Sequence, residues 1–163
     1  ILVTHDRDEA FRIAQEIATV DRGRLMPPMD KHALFRNPGT RAATTLTGCK
    51  NISAARRVDA EHVKATDWGI TLRVADAATD VQHIAVRAHY LVLASENDAN
   101  ALPARIAEVI ESTFSYIVML RFAEGAVPIR WEIDKTTWHA HEAGIGDTLH
   151  FKFPVEELML LLD

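Results

Sequence analysis

The sequence has little of what marks several large classes of protein. Cys49 is the only cysteine among 163 residues, which excludes an internal disulfide and is typical of a reducing compartment. No apolar run approaches the roughly 20 residues that a membrane-spanning helix needs. Basic residues are in deficit, with 18 Lys and Arg against 23 Asp and Glu, so there is no positive surplus to attract phosphate backbones. We therefore expect no nucleic-acid partner.

Sequence patterns for nucleotides and metals are missing too. The glycine-rich phosphate loop G-x-x-x-x-G-K-[ST] does not occur, and Gly48-Cys49-Lys50 lacks both the preceding glycine and the following Ser or Thr. Eight histidines are present, but none lies at metal-ligand spacing from Cys, Asp or Glu. His139 and His141 are two residues apart, so a helix would point them in different directions. We expect no bound metal.

What is present is an ordinary globular composition, 48% apolar and 25% charged, in two regions of different character. In the first region, residues 1–3 are typical of the end of a buried strand, so we expect the chain to begin inside a fold and to be a fragment. Helical periodicity starts at Asp8, and residues 21–24 (DRGR) predict a hairpin turn. Two short helices are expected, over residues 31–36 and 40–46.

The second region is rich in β-branched and aromatic residues that alternate with turn signals. Strands are predicted over residues 63–66, 70–74, 81–87, 90–93, 104–110, 116–122, 127–133 and 149–153. Residues 67–69 (DWG) predict a hairpin between the first two strands, and residues 134–141 a short helix. Many short strands at this spacing favour a small barrel or sandwich, without a strong internal repeat. The predicted fold is mainly β with some helix (α+β), divided into residues 1–48 and 49–163.

Three motifs in the first region occur in the order and spacing of one protein family. Residues 2–10 (LVTHDRDEA) resemble the switch-histidine segment of ABC ATPases, in which T-H-D follows a hydrophobic strand and E-A comes shortly after. Residues 17–24 (IATVDRGR) are similar to the hairpin that comes next, and residues 34–38 (LFRNP) to the stretch that closes the ATP-binding domain. Pro27-Pro28 departs from the family pattern, which predicts a different return of the hairpin. The resemblance implies an α/β remnant of an ABC ATPase domain over residues 1–48.

The second region resembles the small domain that is appended to the ATPases of oxyanion importers. The similar segments are residues 46–51 (LTGCKN), 86–91 (VRAHYL), and 146–149 (GDTL) followed by Phe153-Pro154. This domain, called TOBE, is an OB-like β-barrel, and the variant resembles those of molybdate, tungstate or sulfate importers. The resemblance implies a TOBE- or MOP-like regulatory domain over residues 49–163.

For the intact protein, the resemblance implies an ATPase that is coupled to transport and uses ATP and Mg²⁺. Its partners would be ABC permease subunits and a second copy of the chain, at the cytoplasmic face of the cell membrane. The chain lacks the phosphate loop, the aspartate–glutamate pair upstream of the switch histidine, and the L-S-G-G-Q signature. We therefore expect it to hold no cofactor and to have no enzymatic activity by itself. Without the rest of their sheet, residues 1–47 are expected to be disordered, exchanged between chains or packed against a neighbour.

His5 is the candidate catalytic residue, and only in the intact ATPase. Phosphoryl transfer depends on positioning and charge stabilisation, and the resemblance implies that His5 hydrogen-bonds the γ-phosphate and the attacking water. The alternative is a structural histidine at the end of a strand, whose ring nitrogens are hydrogen-bonded by neighbouring residues. Asp6 and Glu9 are expected to cap the following helix and to match its dipole.

A second candidate site would bind an oxyanion in the β domain, where relatives are thought to sense the transported solute. Tetrahedral dianions are bound by N–H and O–H donors with an occasional cation. The sequence offers such donors in two short stretches and in one arginine on a predicted strand. The candidate residues are Lys50, Asn51, Ser53, Ser112, Thr113, Ser115 and Arg130. The alternative is that the hydroxyls only make turns and that Arg130 is paired on the surface.

Two classes of function remain open. The first is the regulatory and dimer-forming tail of an importer ATPase, with molybdate, tungstate or sulfate as its solute. The second is a free-standing oxyanion-binding module without a transport role, although such a module would not need residues 1–46. An oligonucleotide-binding barrel is disfavoured, because the chain lacks a basic groove with interleaved aromatic residues.

Overall fold

The fold is described by a computed structural model that covers all residues from 1 to 163. The helices are α1 (Arg7–Ile13), α2 (Lys31–Arg36), α3 (Arg41–Leu46) and α4 (Lys135–Ala140), with 3-10 turns at Ala88–Tyr90 and Val155–Glu157. The strands are β1 (Glu16–Ile17), β2 (Val20–Asp21), β3 (Arg24–Leu25), β4 (Met29–Asp30), β5 (Asn51–Arg57), β6 (His62–Ala65), β7 (Ile70–Arg73), β8 (His83–Val86), β9 (Val92–Leu93), β10 (Ala101–Glu111), β11 (Ser115–Arg121), β12 (Ile129–Asp134), β13 (Thr148–Lys152) and β14 (Met159–Leu161). None of the helices has the length and hydropathy that crossing a membrane requires.

The first 48 residues contain two small antiparallel ladders. β2 pairs with β3, and β1 pairs with β4. The turn between β2 and β3 is made by Arg22 and Gly23, both at positive φ (46° and 78°), which is the type I′ geometry of a two-residue hairpin. Pro27 and Pro28 stand between β3 and β4, where the ladder is interrupted, since proline has no N–H to donate. The predicted hairpin is confirmed.

Capping side chains fix the starts of the helices in this segment. The Asp30 carboxylate accepts hydrogen bonds from the backbone N–H groups of His32 (2.9 Å) and Ala33 (3.0 Å) at the start of α2. Thr40 caps α3 through a hydrogen bond of 3.2 Å to a backbone N–H in its first turn. Gly48, at φ 90°, takes the left-handed conformation after the end of α3. Both predicted short helices are confirmed.

The rest of the chain forms two five-stranded antiparallel sheets. The first has the strand order β14-β8-β5-β6-β7, and the second has the order β12-β11-β10-β13-β9. One strand in each sheet changes its partner along its length: β5 pairs first with β8 and then with β6, and β10 pairs first with β13 and then with β11. A change of partner along one strand curls the sheet toward a half-barrel.

The two sheets repeat one order of elements. β5 to β9, with a 3-10 turn before the last strand, correspond to β10 to β14, which also have a 3-10 turn before the last strand. The repeats exchange these last strands, because β9 pairs with β13 and β14 pairs with β8. This structural repeat is compatible with the absence of a strong repeat in the sequence. The repeat lies in the hydrogen-bonding order of the strands, which can be shared without shared side chains.

One hydrophobic core lies between the sheets. It joins 21 buried side chains, and Trp68, Phe151 and Phe153 are its largest fully buried members. Trp68 stacks on Phe153 with ring centroids 6.3 Å apart, and Trp131 meets Phe151 edge to face at 4.9 Å. Trp138 belongs to the same core. All three tryptophans therefore stabilise the fold.

The structure confirms the mainly β architecture, all eight predicted strands (β6 to β13) and the predicted helix α4. It also contains four strands that the sequence did not predict, β1, β4, β5 and β14. Residues 1–3 form no strand and are exposed, so the prediction of a buried strand end is wrong for this chain. No neighbouring strand supplies the hydrogen bonds that a buried strand needs. The assignment of residues 1–48 as an α/β remnant and the division at residue 48 remain predictions.

Candidate functional site

His5 lies in the turn that leads into α1, and its side chain is exposed. The turn is fixed by Asp6, whose Oδ1 accepts hydrogen bonds from the backbone N–H groups of Asp8 (2.9 Å) and Glu9 (3.0 Å). The hydrogen bonds from Glu9 and Asp8 hold the pKa of the Asp6 carboxyl below its usual range. Asp6 thus caps the helix, as the sequence predicted, and leaves His5 free of hydrogen bonds within the chain.

Asn51 and Ser53 lie on β5 with buried side chains. Asn51 Nδ2 donates to the Arg130 carbonyl oxygen at 2.7 Å, and the Arg130 backbone N–H donates to Asn51 Oδ1 at 2.8 Å. Ser53 Oγ donates to the Ala54 carbonyl at 2.8 Å and accepts from the Asp67 backbone N–H at 3.0 Å. Both side chains therefore have partners inside the protein, and an oxyanion would have to displace these bonds to reach them.

The hydroxyl-rich stretch lies at the turn between β10 and β11, where Ser112 and Thr113 are exposed. The Ser112 backbone N–H donates to the Ser115 carbonyl at 2.9 Å and closes the turn. The Ser115 hydroxyl donates to Glu132 Oε1 at 3.2 Å. Lys50 is exposed directly before β5. The stretch thus makes a turn, which is the role that the sequence analysis left open as the alternative.

Arg130 differs from the other candidates because its side chain has an unpaired donor that is buried. It lies on β12 with 31% of its side chain exposed, and its Nη2 stands 3.5 Å from Glu132 Oε2, at the limit of a hydrogen bond. Its Nε atom is buried and has no hydrogen-bond partner in the chain. A buried donor without a partner costs free energy, so this guanidinium keeps a capacity to donate to an added acceptor. The Glu132 carboxylate beside it opposes a second negative charge.

The structure brings three of the candidates together. Asn51 binds the backbone of Arg130, and Glu132 links the Arg130 side chain to Ser115. Lys50, Ser112 and Thr113 make no side-chain hydrogen bond with that group. Two surface cavities, of about 250 and about 660 Å³, are lined by other residues. No group of three or more His, Cys, Asp or Glu side chains is placed to hold a metal ion.

Cys49 is a buried thiol at the junction between α3 and β5. Its Sγ lies within hydrogen-bond distance of the carbonyl oxygens of Asn51 (3.4 Å) and Val86 (3.3 Å), either of which can accept its single S–H. Burial raises the pKa of this thiol. Because the thiolate is the reactive form, Cys49 is structural.

Arg87, which follows β8, was not among the residues predicted from the sequence. Its guanidinium donates to the carbonyl oxygen of Thr47 at 3.0 Å, to Thr47 Oγ1 at 3.2 Å, and to the carbonyl oxygen of Phe35 at 2.5 Å. The only signal was its place in the segment VRAHYL, between an apolar strand and a turn. Such a position does not show which carbonyls a guanidinium will meet.

The chain is similar in fold to a solved molybdate-binding protein. The structure matches the cytoplasmic molybdate-binding protein ModG, solved with molybdate bound, with a TM-score of 0.55 and 13% sequence identity. The match covers 71% of this chain and 98% of ModG. At this level of identity the likeness concerns the fold alone.

Three curated relatives are ATP-binding subunits of ABC importers, while no family model matches the sequence. The putrescine transport ATP-binding protein PotG of Escherichia coli is 26% identical over 99% of this chain and 46% of its own length. The spermidine/putrescine import protein PotA of Rubrobacter xylanophilus is 29% identical over 77% of this chain and 35% of its own length. The thiamine import protein ThiQ of a Ruegeria species is 45% identical over 38 residues, 23% of this chain and 16% of its own length. The chain spans less than half the length of each of these relatives.

The similarity to ATP-binding subunits of ABC importers is thereby confirmed. Such subunits are ATPases of transporters and work with permease subunits. The molybdate, tungstate or sulfate type is not confirmed, because the sequence relatives are named for putrescine, spermidine and thiamine.

Proposed function

We propose that this chain is the C-terminal region of an ABC importer ATP-binding subunit. Residues 1–48 close the nucleotide-binding domain, and residues 49–163 form an appended TOBE-like regulatory domain. The alignment with PotG over 99% of the chain carries this proposal. The switch-histidine motif directly before α1 supports it, since a free-standing oxyanion-binding module has no use for that segment.

In the intact subunit, His5 acts as the switch histidine and the upstream part of the domain binds ATP and Mg²⁺. His5 is suited to this role because Asp6 fixes the turn by capping α1, while the imidazole is exposed and unpaired. An imidazole in that position hydrogen-bonds the γ-phosphate and the attacking water. The 163-residue chain alone hydrolyses no ATP.

The first 48 residues expose apolar side chains that suit contact with the remainder of such a domain. Ile13, Val20 and Leu25 are 63%, 58% and 72% exposed. Exposed apolar side chains in one segment indicate a surface that another part of the protein covers. We assign this surface to the upstream part of the nucleotide-binding domain. Permease subunits and a second copy of the subunit complete the transporter at the cytoplasmic face of the membrane.

The β domain is proposed to sense the transported solute, and the first candidate solute is a tetrahedral oxyanion. Arg130 supports this candidate through its buried, unpaired Nε and its weak contact with Glu132. Ser115 can add a hydroxyl, since it is already linked to Glu132. Molybdate, tungstate and sulfate are the ligands of this class, and such a site would gain strength from the guanidinium.

A second candidate solute is an organic cation. The three relatives are named for putrescine, spermidine and thiamine. The net charge of -5 also favours cationic over anionic ligands. On this alternative Arg130 stays a structural residue, and the solute is bound elsewhere in the transporter or on the acidic surface of the chain.

Titration calorimetry of the 163-residue chain separates these candidates. The ligands are molybdate, tungstate and sulfate, then putrescine, spermidine and thiamine, with phosphate as a control. We expect one oxyanion to bind with micromolar affinity or better, and we expect Arg130→Gln to weaken it. Arg56→Gln is the matched control, because Arg56 is exposed on β5 and makes no side-chain hydrogen bond. Binding of an organic cation instead would overturn the oxyanion proposal and leave the transporter assignment standing.

A further inference from the structure

Arg87 joins two helices of the first 48 residues to the β domain. It stands between β8 and the 3-10 turn at Ala88–Tyr90, and its guanidinium reaches the carbonyl oxygens of Phe35 and Thr47. Phe35 lies in the last turn of α2, and Thr47 is the residue that caps the end of α3. One side chain of the β domain therefore contacts the C-terminal ends of both helices.

The chemistry of helix ends explains why a guanidinium suits this place. The last carbonyl groups of a helix have no partner within the helix, and the C-terminal end carries a partial negative charge. An arginine satisfies both needs, because it is always charged and its planar fork presents several N–H groups. The third bond, from Nη2 to Thr47 Oγ1, adds a second acceptor on α3. Lysine, with a single ammonium nitrogen, lacks this fork.

The structural repeat provides an internal comparison for Arg87. In the second repeat the residue directly before the 3-10 turn at Val155–Glu157 is Pro154, and it is separated from β13 by Phe153. Neither residue has a side-chain donor. The strand, the turn and the exchanged last strand nevertheless form in both repeats. The β unit therefore does not need an arginine at this position. At this position the first repeat differs from the second by its contact with α2 and α3, which Arg87 provides.

The opposite end of α3 is held separately. The Arg41 backbone N–H, at the start of the helix, donates to the Asp163 carboxylate at 2.7 Å. α3 is thus bonded to the β domain at its start through Asp163 and at its end through Arg87. α2 is bonded to the β domain at its last turn, through the hydrogen bond from Arg87 to the carbonyl oxygen of Phe35.

We propose that Arg87 is a positioning residue that fixes α2 and α3 on the β domain. Through its hydrogen bonds, the two helices and the β domain undergo local unfolding and refolding together. In this arrangement a displacement of β8 is transmitted to both helices through one guanidinium. The contacts of Arg87 lie within the chain, so its role in connecting the two regions does not depend on the proposed function.

Hydrogen–deuterium exchange of the 163-residue chain, followed by region, tests this proposal. In Arg87→Ala we expect amides in α2 and α3 to exchange about 10- to 100-fold faster, since bonds to a charged group are lost. Amides in β10 to β13 should exchange as in the wild type. Arg73→Ala is the matched control, because that side chain makes an exposed ion pair with Glu61 at 3.2 Å and should change neither helix.

Arg87→Lys keeps the positive charge and provides a second, milder variant should Arg87→Ala fail to fold. A single ammonium group cannot take the place of the fork at both helices, so we expect one helix to stay protected and the other to exchange faster. Unchanged exchange in both helices of Arg87→Lys would overturn the bridging role. Equal acceleration in the helices and in β10 to β13 would also overturn the proposal, because it would show a general loss of stability.

Discussion

Asn51 and Asn100 bind the opposite repeat in the same way. The side-chain amide of Asn51 donates to the carbonyl oxygen of Arg130 (2.7 Å) and accepts from its backbone N–H (2.8 Å). The side-chain amide of Asn100 makes the same two hydrogen bonds with the backbone of Arg73, both of 2.7 Å. Arg130 lies on β12 and Arg73 ends β7, the outer strands of the two sheets. Each asparagine therefore satisfies part of a free strand edge, which would otherwise be open to pairing with another chain.

Removal of the Asn51 side chain should destabilise the fold. In Asn51→Ala the backbone N–H and carbonyl of Arg130 lose their partners in a partly buried place, so the free energy of unfolding should fall by about 2–3 kcal/mol. Urea denaturation measures the change. Asn97→Ala, at an exposed loop position, should stay within about 0.5 kcal/mol of the wild type. Equal stability of the two variants would contradict the edge-binding role of Asn51.

Asn100 combines the same hydrogen bonds with an unusual backbone, since its φ is 60°. Asn100→Ala and Asn100→Gly both lose the bonds to Arg73, but alanine is strained in the left-handed conformation and glycine is not. We therefore expect Asn100→Ala to be less stable than Asn100→Gly by about 1 kcal/mol, measured by thermal unfolding. The reverse order would show that the backbone strain at this position is negligible.

The start of α1 should depend on pH through Asp6. The backbone N–H groups of Glu9 and Asp8 lower the pKa of this carboxyl from the usual value of 3.8. A lowered folded-state pKa means that the cap is fully present above pH 3.8 and is lost as the pH falls through the folded-state value. NMR titration that follows the side-chain carboxyl carbon of Asp6 should show that midpoint below 3.8. A midpoint of this carboxyl at or above 3.8 would contradict the cap.

Local patterns made much of this fold predictable. β7 alternates buried Ile70 and Leu72 with exposed residues, and Asp30 and Asp134 stand directly before the helices that they cap. Each of these signals lies within a few residues of the element that it predicts. The hairpins and short helices were predictable for that reason.

The parts that depend on distant partners were not predictable. β5 has polar residues, Asn51 and Ser53, on its buried face, so it lacks the alternation of a typical strand. Asn51 finds its partner 79 residues away, and the exchange of β9 and β14 depends on the packing of two whole repeats. For the same reason the sequence offered Asn51 as a free donor, whereas the structure places its side chain in an internal pair of hydrogen bonds.

The most direct test of the proposed function is ATP hydrolysis by the intact subunit assembled with its permease. His5→Ala should lower the hydrolysis rate by about 100-fold or more, the usual effect of removing one transition-state donor, while ATP binding is retained. His141→Ala, which removes an exposed imidazole in the β domain, should leave the rate unchanged. Undiminished hydrolysis in His5→Ala would contradict the assignment of residues 1–48 to the switch-histidine end of an ATP-binding domain.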